Sequence, residues 1–135
     1  MTSEKPAEAA APSHAASLSE RVIGTWSLRS RIDLTADGER CREPTLGEDP
    51  IALVYFDKSG NFAAQFMKRD RSAAAPEIST AGTNNTRAVG GYDAYFGTYR
   101  VDDARGVVTT TLAGAIAREH VGAVLTRAMR VDGDT

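Results

Sequence analysis

The chain has 135 residues, of which 41% are hydrophobic and 25% charged, and its formal net charge is -2. That size suits one domain, and the near-neutral balance gives no electrostatic case for nucleic acid or an anionic membrane as partner. No stretch approaches the ~20 apolar residues that span a bilayer. One cysteine, Cys41, cannot form an internal disulfide, and His14 and His120 stand in no metal-ligand spacing.

Residues 1–17 are mostly Ala, Pro, Ser and Glu, with no basic start leading into an apolar core. They do not read as a secretory signal, and they carry too little apolar surface to order themselves. The expectation is a disordered tail before one folded domain over residues 18–135, with the cytoplasm as default compartment. Next, Ser17 to Ile23 read as one or two helical turns, with Ser17 as N-cap and Glu20 completing a capping box. Gly24 ends the helix and opens a strand.

That strand is the clearest pattern in the chain. Trp26, Leu28, Ile32 and Leu34 alternate with Ser27, Arg29, Arg31 and Asp33, interrupted only at Ser30. A period of two predicts a half-buried strand to about Thr35, with Trp26 and its apolar companions on the dry side. Ala36-Asp37-Gly38 is a turn, and residues 39–50, with Pro44, Gly47 and Pro50, read as a loop or a broken edge strand.

Residues 51–56 are continuously apolar, Asp57-Lys58-Ser59-Gly60 turns the chain, and residues 61–67 form the partner strand of a hairpin with Phe62, Ala64 and Phe66 on one face. Residues 72–91 make a long loop, expected to be a lid over an open mouth or a poorly pairing strand plus loop. Residues 92–101 are a strand with Tyr95, Gly97, Tyr99 and Val101 on one face, and Asp102 to Gly106 turns. Residues 107–112 are rich in β-branched side chains and read as a strand. Residues 113–119 fit either a loop or a helical turn. A last strand is expected over residues 121–131, before a turn at Asp132-Gly133-Asp134. At least six strands in hairpin order, with little helix, predict an all-β antiparallel barrel or sandwich.

Three groups of residues give the chain a family resemblance: Leu18 to Leu28 with Gly24-Thr25-Trp26-Ser27-Leu28; Leu46-Gly47-Glu48-Asp49-Pro50 with Leu53-Val54-Tyr55 and the Gly60 hairpin; and Tyr95-Phe96-Gly97-Thr98-Tyr99-Arg100-Val101-Asp102 with Val121-Gly122 and Arg127. In this order and spacing the chain resembles the lipocalin-like domain family of bacterial and fungal proteins, small calycin-type β-barrels. The resemblance implies an antiparallel barrel after a short helical turn, with an internal pocket for a hydrophobic small molecule and no cofactor. Some family members sit among secondary-metabolism proteins. Two positions depart from the family pattern: Thr109, Thr110 and Thr111 stand where relatives carry His, and His120 stands where they carry an aromatic before Val121-Gly122. The resemblance also implies one or two further strands beyond Thr135. Three outcomes follow, a barrel incomplete at its C-terminal end, a homodimer that shares a strand, or an open half-barrel, and the first two are expected over a stable open edge.

The candidate site residues follow. Trp26 is expected to plug the closed end of the barrel and stack on Arg127, a cation–π contact of about 0.5–2 kcal/mol; the alternative is plain core packing. Tyr55, Phe62, Phe66, Tyr95, Phe96 and Tyr99 form the aromatic set, from which Tyr55, Phe62, Phe66, Tyr95 and Tyr99 are taken as ligand-binding; the alternative is ordinary strand pairing. His120 and Asp93 are the catalytic candidates, one for its unperturbed pKa and one as a buried acid on an aromatic strand; the alternatives are a solvent-facing loop histidine and a solvated or ion-paired aspartate. Metal ligands are not expected. The first functional reading is a binding module for a hydrophobic small molecule. The second is a cofactor-free cyclase, isomerase or dehydratase of a polyketide-like intermediate, and the third a filled barrel with no ligand.

Overall fold

A computed structural model describes residues 16–41, 46–47, 49–72 and 88–135. Most of the expected N-terminal tail, residues 1–15, and most of the expected lid, residues 73–87, lie outside the described residues.

The helical turn forms as α1, Leu18–Arg21. Glu20 reaches back so that its carboxylate accepts from the Ser17 backbone N–H at 2.9 Å, which is the capping-box contact. Val22 follows the turn and is almost fully buried. Gly24 then takes a positive φ of 139, which any side chain would resist, and redirects the chain into β1, Gly24–Ser27.

Beyond β1 come β2, Asp33–Leu34; β3, Arg40–Cys41; β4, Ile51–Phe56; β5, Asn61–Met67; β6, Tyr92–Asp102; β7, Val107–Ala115; and β8, Val124–Ala128. Six of them make one sheet in the order β1-β4-β5-β6-β7-β8, and β2 with β3 makes a separate two-stranded sheet. Every pairing is antiparallel. The expected hairpin of residues 51–67 is present in the expected register, with Phe56 opposite Phe62.

The sheet is not closed into a barrel, which corrects the expectation. Closure needs a ladder between the first and last strands. Among the described residues β1 pairs with β4, β8 pairs with β7, and no ladder joins β1 to β8. Both strands are also short. The long alternating strand expected from Gly24 to about Thr35 stops at Ser27, and its remainder turns away into the β2–β3 hairpin. The last strand occupies Val124–Ala128 only, and the chain then leaves the sheet for a turn in which Asp132 and Thr135 exchange backbone hydrogen bonds.

The interruption at Ser30 lies just beyond the end of β1. Past it the alternation changes sides: Ile32 and Leu34 are 60% and 47% exposed, whereas Arg31 and Asp33 turn inward as a bidentate ion pair. The residues expected on the dry side are wet, and two expected on the wet side are covered.

The core lies on one face of the large sheet. Val22, Phe56, Phe62, Val108, Leu112 and Leu125 form its buried cluster, with Trp26, Tyr95 and Tyr99 packed against it. Burying a large apolar side chain contributes about 1.5–3 kcal/mol, so this cluster is the principal source of stability. α1 lies across its end. Both the Ser19 N–H and its hydroxyl donate to the Asp103 carboxylate, at 2.8 and 2.9 Å, and tie the helix to the β6–β7 turn.

One irregularity matters. On β6 three consecutive residues, Tyr95, Phe96 and Gly97, oppose Ala115, Gly114 and Leu112, so Ala113 is an extra residue and β7 carries a β-bulge. The strands approach closely here. A Cβ on Gly97 would lie 1.9 Å from the Thr111 carbonyl oxygen, and one on Gly114 would lie 2.4 Å from the Phe96 ring. Residues 113–115, left open between loop and helical turn, are therefore strand, and a 3-10 turn, Arg118–His120, follows.

Candidate functional site

The inner face of the sheet divides into two ends, set by cross-strand register. In one row Phe56 opposes Phe62, Phe62 opposes Gly97 and Gly97 opposes Leu112. This end, beside α1, is filled. Phe56 and Phe62 stack at 6.3 Å between centroids, and Phe56 meets Tyr99 edge-on at 4.9 Å. The Tyr99 hydroxyl donates to the Asp57 carbonyl at 2.6 Å and pins the β4–β5 turn. Asp57 organises the same turn by accepting from the Asn61 and Ser59 backbone N–H groups. These bonds, led by Asn61, hold its carboxyl below the usual carboxylate range. Desolvation, and secondarily the charge of Asp57, raise the Tyr99 phenol.

The other end is built differently. Trp26 opposes Val54, Val54 opposes Ala64, and Ala64 opposes Tyr95. The next row runs Ala52, Phe66, Asp93. Bulky rings stand at the sides, and small side chains lie between them. Phe66 and Phe62 each sit 6.0 Å from the Tyr95 ring. Asp93 is 3% exposed. The Arg31–Asp33 pair adds a covered charge pair, with side chains 17% and 12% exposed.

Tyr95 is the centre of this polar group. Burial pushes its phenol up to about 12, while the charge of Arg127, and after it Arg31, act to lower it and Asp93 acts to raise it. Unlike that of Tyr99, this hydroxyl is bonded to no described residue. In chemical terms the arrangement offers a neutral phenol donor at physiological pH, a flat aromatic wall and adjacent charge.

The expected site residues are divided by the fold. Phe62, Phe66, Tyr95 and Tyr99 share the inner face, but Tyr55 pairs between Thr25 and Ala63 and looks outward. Phe96 is also outward and 57% exposed. Trp26 is half-buried at the inner face, and its indole N–H donates to the Val22 carbonyl at 2.7 Å, which locks the ring to the end of α1. Arg127 opposes Val108 on β8. His120 ends the 3-10 turn between β7 and β8, and its buried Nδ1 has no hydrogen-bond partner among the described residues. The Arg31–Asp33 pair was not anticipated. The break in alternation at Ser30 was the available signal, because two residues that swap faces must be covered by something.

The outer face is apolar too. Ile23, Ile51, Tyr55, Phe96 and Ile116 are exposed on or beside it. A depression of about 370 Å³ runs from Ile23 and Thr25 past Tyr55 to Ala63, and a second of about 270 Å³ continues from Ala63 past Ala94 to Phe96 and Ile116. Among the described residues no group of His, Cys, Asp and Glu could hold a metal ion, and no helix is long and apolar enough to cross a membrane.

The profile of the lipocalin-like domain matches residues 23–135, which spans both sheets and every residue of the Tyr95 group. No curated protein and no solved structure matches the chain significantly.

Proposed function

The chain belongs to the lipocalin-like domain family, and from that premise we propose that it binds a hydrophobic small molecule on the inner face of its open sheet. The fold and its buried and exposed aromatic surface are consistent with small-molecule binding in general. The finer reading places the ligand at the Tyr95 end, against Phe66 and over Ala52, Val54 and Ala64. One observation carries it: between the Tyr95 and Phe66 rings this end presents only the small side chains of Ala52, Val54 and Ala64, whereas the other end is packed with Phe56, Phe62, Leu112 and Leu125.

Trp26 closes the row that ends in Tyr95 and is the only tryptophan. Its emission reports on occupancy of that row. Titration with a panel of aromatic and aliphatic small molecules should change Trp26 fluorescence saturably for at least one of them. A Phe66→Ala variant that is still folded should lose that response. A flat titration for every compound, together with no co-purifying small molecule by native mass spectrometry, sinks the reading.

A second reading, catalysis without a cofactor, is favoured by one observation. Asp93 and Tyr95 stand two residues apart on one face of β6, which places a buried acid beside a phenol donor. Their roles would be proton transfer and stabilisation of a developing oxyanion. Turnover of a bound compound that Asp93→Asn abolishes while binding persists would separate this reading from simple binding.

A further inference from the structure

We propose that the outer face of the large sheet is the surface on which a second copy of this chain docks, forming a twofold-symmetric dimer. It is independent of the ligand reading, which concerns the opposite face.

Cross-strand register lays the outer face out in rows. One runs Thr25, Tyr55, Ala63, Phe96, Gly114. The next runs Ser27, Leu53, Gln65, Ala94, and continues to Ile116, whose N–H donates to the Ala94 carbonyl. A third holds Ile51, Met67 and Tyr92. Of the whole chain 25% is charged, yet no residue of these rows is. Charge begins at the margins, with Asp57 and Lys58 in the β4–β5 turn and with Arg71, whose guanidinium lies 5.9 Å from the centre of the Tyr92 ring. A face that an antiparallel sheet leaves to water is ordinarily polar. Here Ile51, Tyr55, Phe96 and Ile116 are exposed instead.

Size and relief fit a second copy. The rows cross β1, β4, β5, β6 and β7. At ~4.8 Å between strands and ~6.7 Å between rows, the face measures about 24 by 20 Å in outline. Two such faces cover about 1,000 Å², the area a specific interface must clear, before side-chain relief is counted. Along the first row bulky and small side chains alternate, and the Phe96 ring leans on Gly114, where a Cβ would run into it. Depressions of about 370 and 270 Å³ flank Ala63, one beside Tyr55 and the other beside Phe96. A twofold axis in the contact plane, passing between Ala63 and Phe96, sets each copy's Phe96 over the other's Ala63. The same axis sets Tyr55 over Gly114, Leu53 over Ile116 and Gln65 over Ala94. Large side chains of the first row thus meet small ones throughout, and each copy contributes the same residues.

Chemistry selects the occupant. Complementary charge is what lets a surface choose a foreign protein, and these rows have none to offer. Interfaces between identical subunits are the more apolar class, and a symmetric one needs only to match itself.

The test is sedimentation velocity of the full chain from about 1 µM to about 1 mM, the range of weak to moderate affinities. A dimer that grows in with concentration is expected. Gln65→Lys and Phe96→Lys each put a charge into the middle of the contact and should weaken the dimer at least about thirtyfold, the loss typical of a central interface residue. Circular dichroism checks that both variants are folded. Hydroxyl-radical footprinting of the unmodified chain needs no variant: Tyr55 and Phe96 should be shielded at high concentration and labelled on dilution. A chain that stays monomeric throughout overturns the proposal, and Tyr55 and Phe96 shielded in that monomer would mean that its own residues cover the face. A dimer that both folded variants retain, or in which Tyr55 and Phe96 label as readily as in the monomer, is built on another surface, such as a sheet edge, and also overturns it. The ligand reading is untouched by any of these outcomes.

Discussion

Tyr95 and Tyr99 lie on one face of one strand, four residues apart, and the sheet uses them in opposite ways. Tyr99 meets the Phe56 ring edge-on and gives its hydroxyl to the Asp57 carbonyl. Tyr95 packs against Phe62 and Phe66 and gives its hydroxyl to no described residue. The difference comes from their neighbours. At the Tyr99 end the adjoining strands contribute Phe56, Phe62, Leu112 and Leu125, and nothing is left over. At the Tyr95 end they contribute Ala52, Val54 and Ala64, and the buried Asp93 stands in the next row. One end is a structural floor, and the other is the end at which we propose that a ligand binds.

The comparison can be broken most severely at Gly97, which separates the two tyrosines. Gly97→Ala sets a Cβ against the Thr111 carbonyl oxygen and 2.8 Å from the Ala113 nitrogen, and these are backbone atoms that cannot rotate aside. The expected loss is about 4 kcal/mol or more, read as loss of cooperative unfolding in urea. Next comes Leu112→Ala in the floor, where truncating a fully buried leucine costs about 2–5 kcal/mol. A loss below about 1 kcal/mol would show that the floor is not the packed end.

The third effect is a pH dependence specific to Tyr95. Its folded pKa, about 12, lies above the unfolded value of 10.0, so the folded state holds its proton longer. The corresponding stability is complete below about pH 10 and is lost as pH rises toward 12, at most about 3 kcal/mol. Denaturant midpoints across that window should fall more steeply for the unmodified chain than for Tyr95→Phe. Parallel curves would mean that the phenol is not desolvated.

The smallest effects sharpen the contrast directly. Tyr99→Phe removes an internal hydrogen bond and should cost about 1 kcal/mol at neutral pH. Tyr95→Phe removes a hydroxyl that holds nothing in place and should change stability by less than about 0.5 kcal/mol. Equal losses from the two variants would erase the distinction between the ends.

The floor was readable in the sequence because it is made of uninterrupted period-two strands. Phe62, Ala64 and Phe66 face inward as alternation requires, and so do Tyr95, Gly97, Tyr99 and Val101. The site was only half readable. Its aromatic wall follows from the same periodicity, but the covering of Arg31 and Asp33 does not, because the chain changes sides at Ser30 and a two-residue period carries no information past a break in itself. The outward face of Tyr55 was not readable because residues 51–56 are apolar on both faces, which removes the contrast that assigns a face. Closure was out of reach for another reason. Whether β1 meets β8 is decided by how many residues remain paired at each edge, a property of the assembled sheet.

The extra residue in β7 has a consequence for how this chain can change in length. Ala113 lets residues 114 and 115 keep step with Phe96 and Tyr95 while Val108, Thr110 and Leu112 keep step with the floor. A single-residue deletion within residues 107–112 would shift every inward side chain of that stretch to the other face. Deleting Ala113 itself would remove the bulge and leave both partnerships in place. The strand therefore contains one position at which an insertion or deletion is absorbed locally. The lengths of the floor and of the Tyr95 end can drift independently on either side of it.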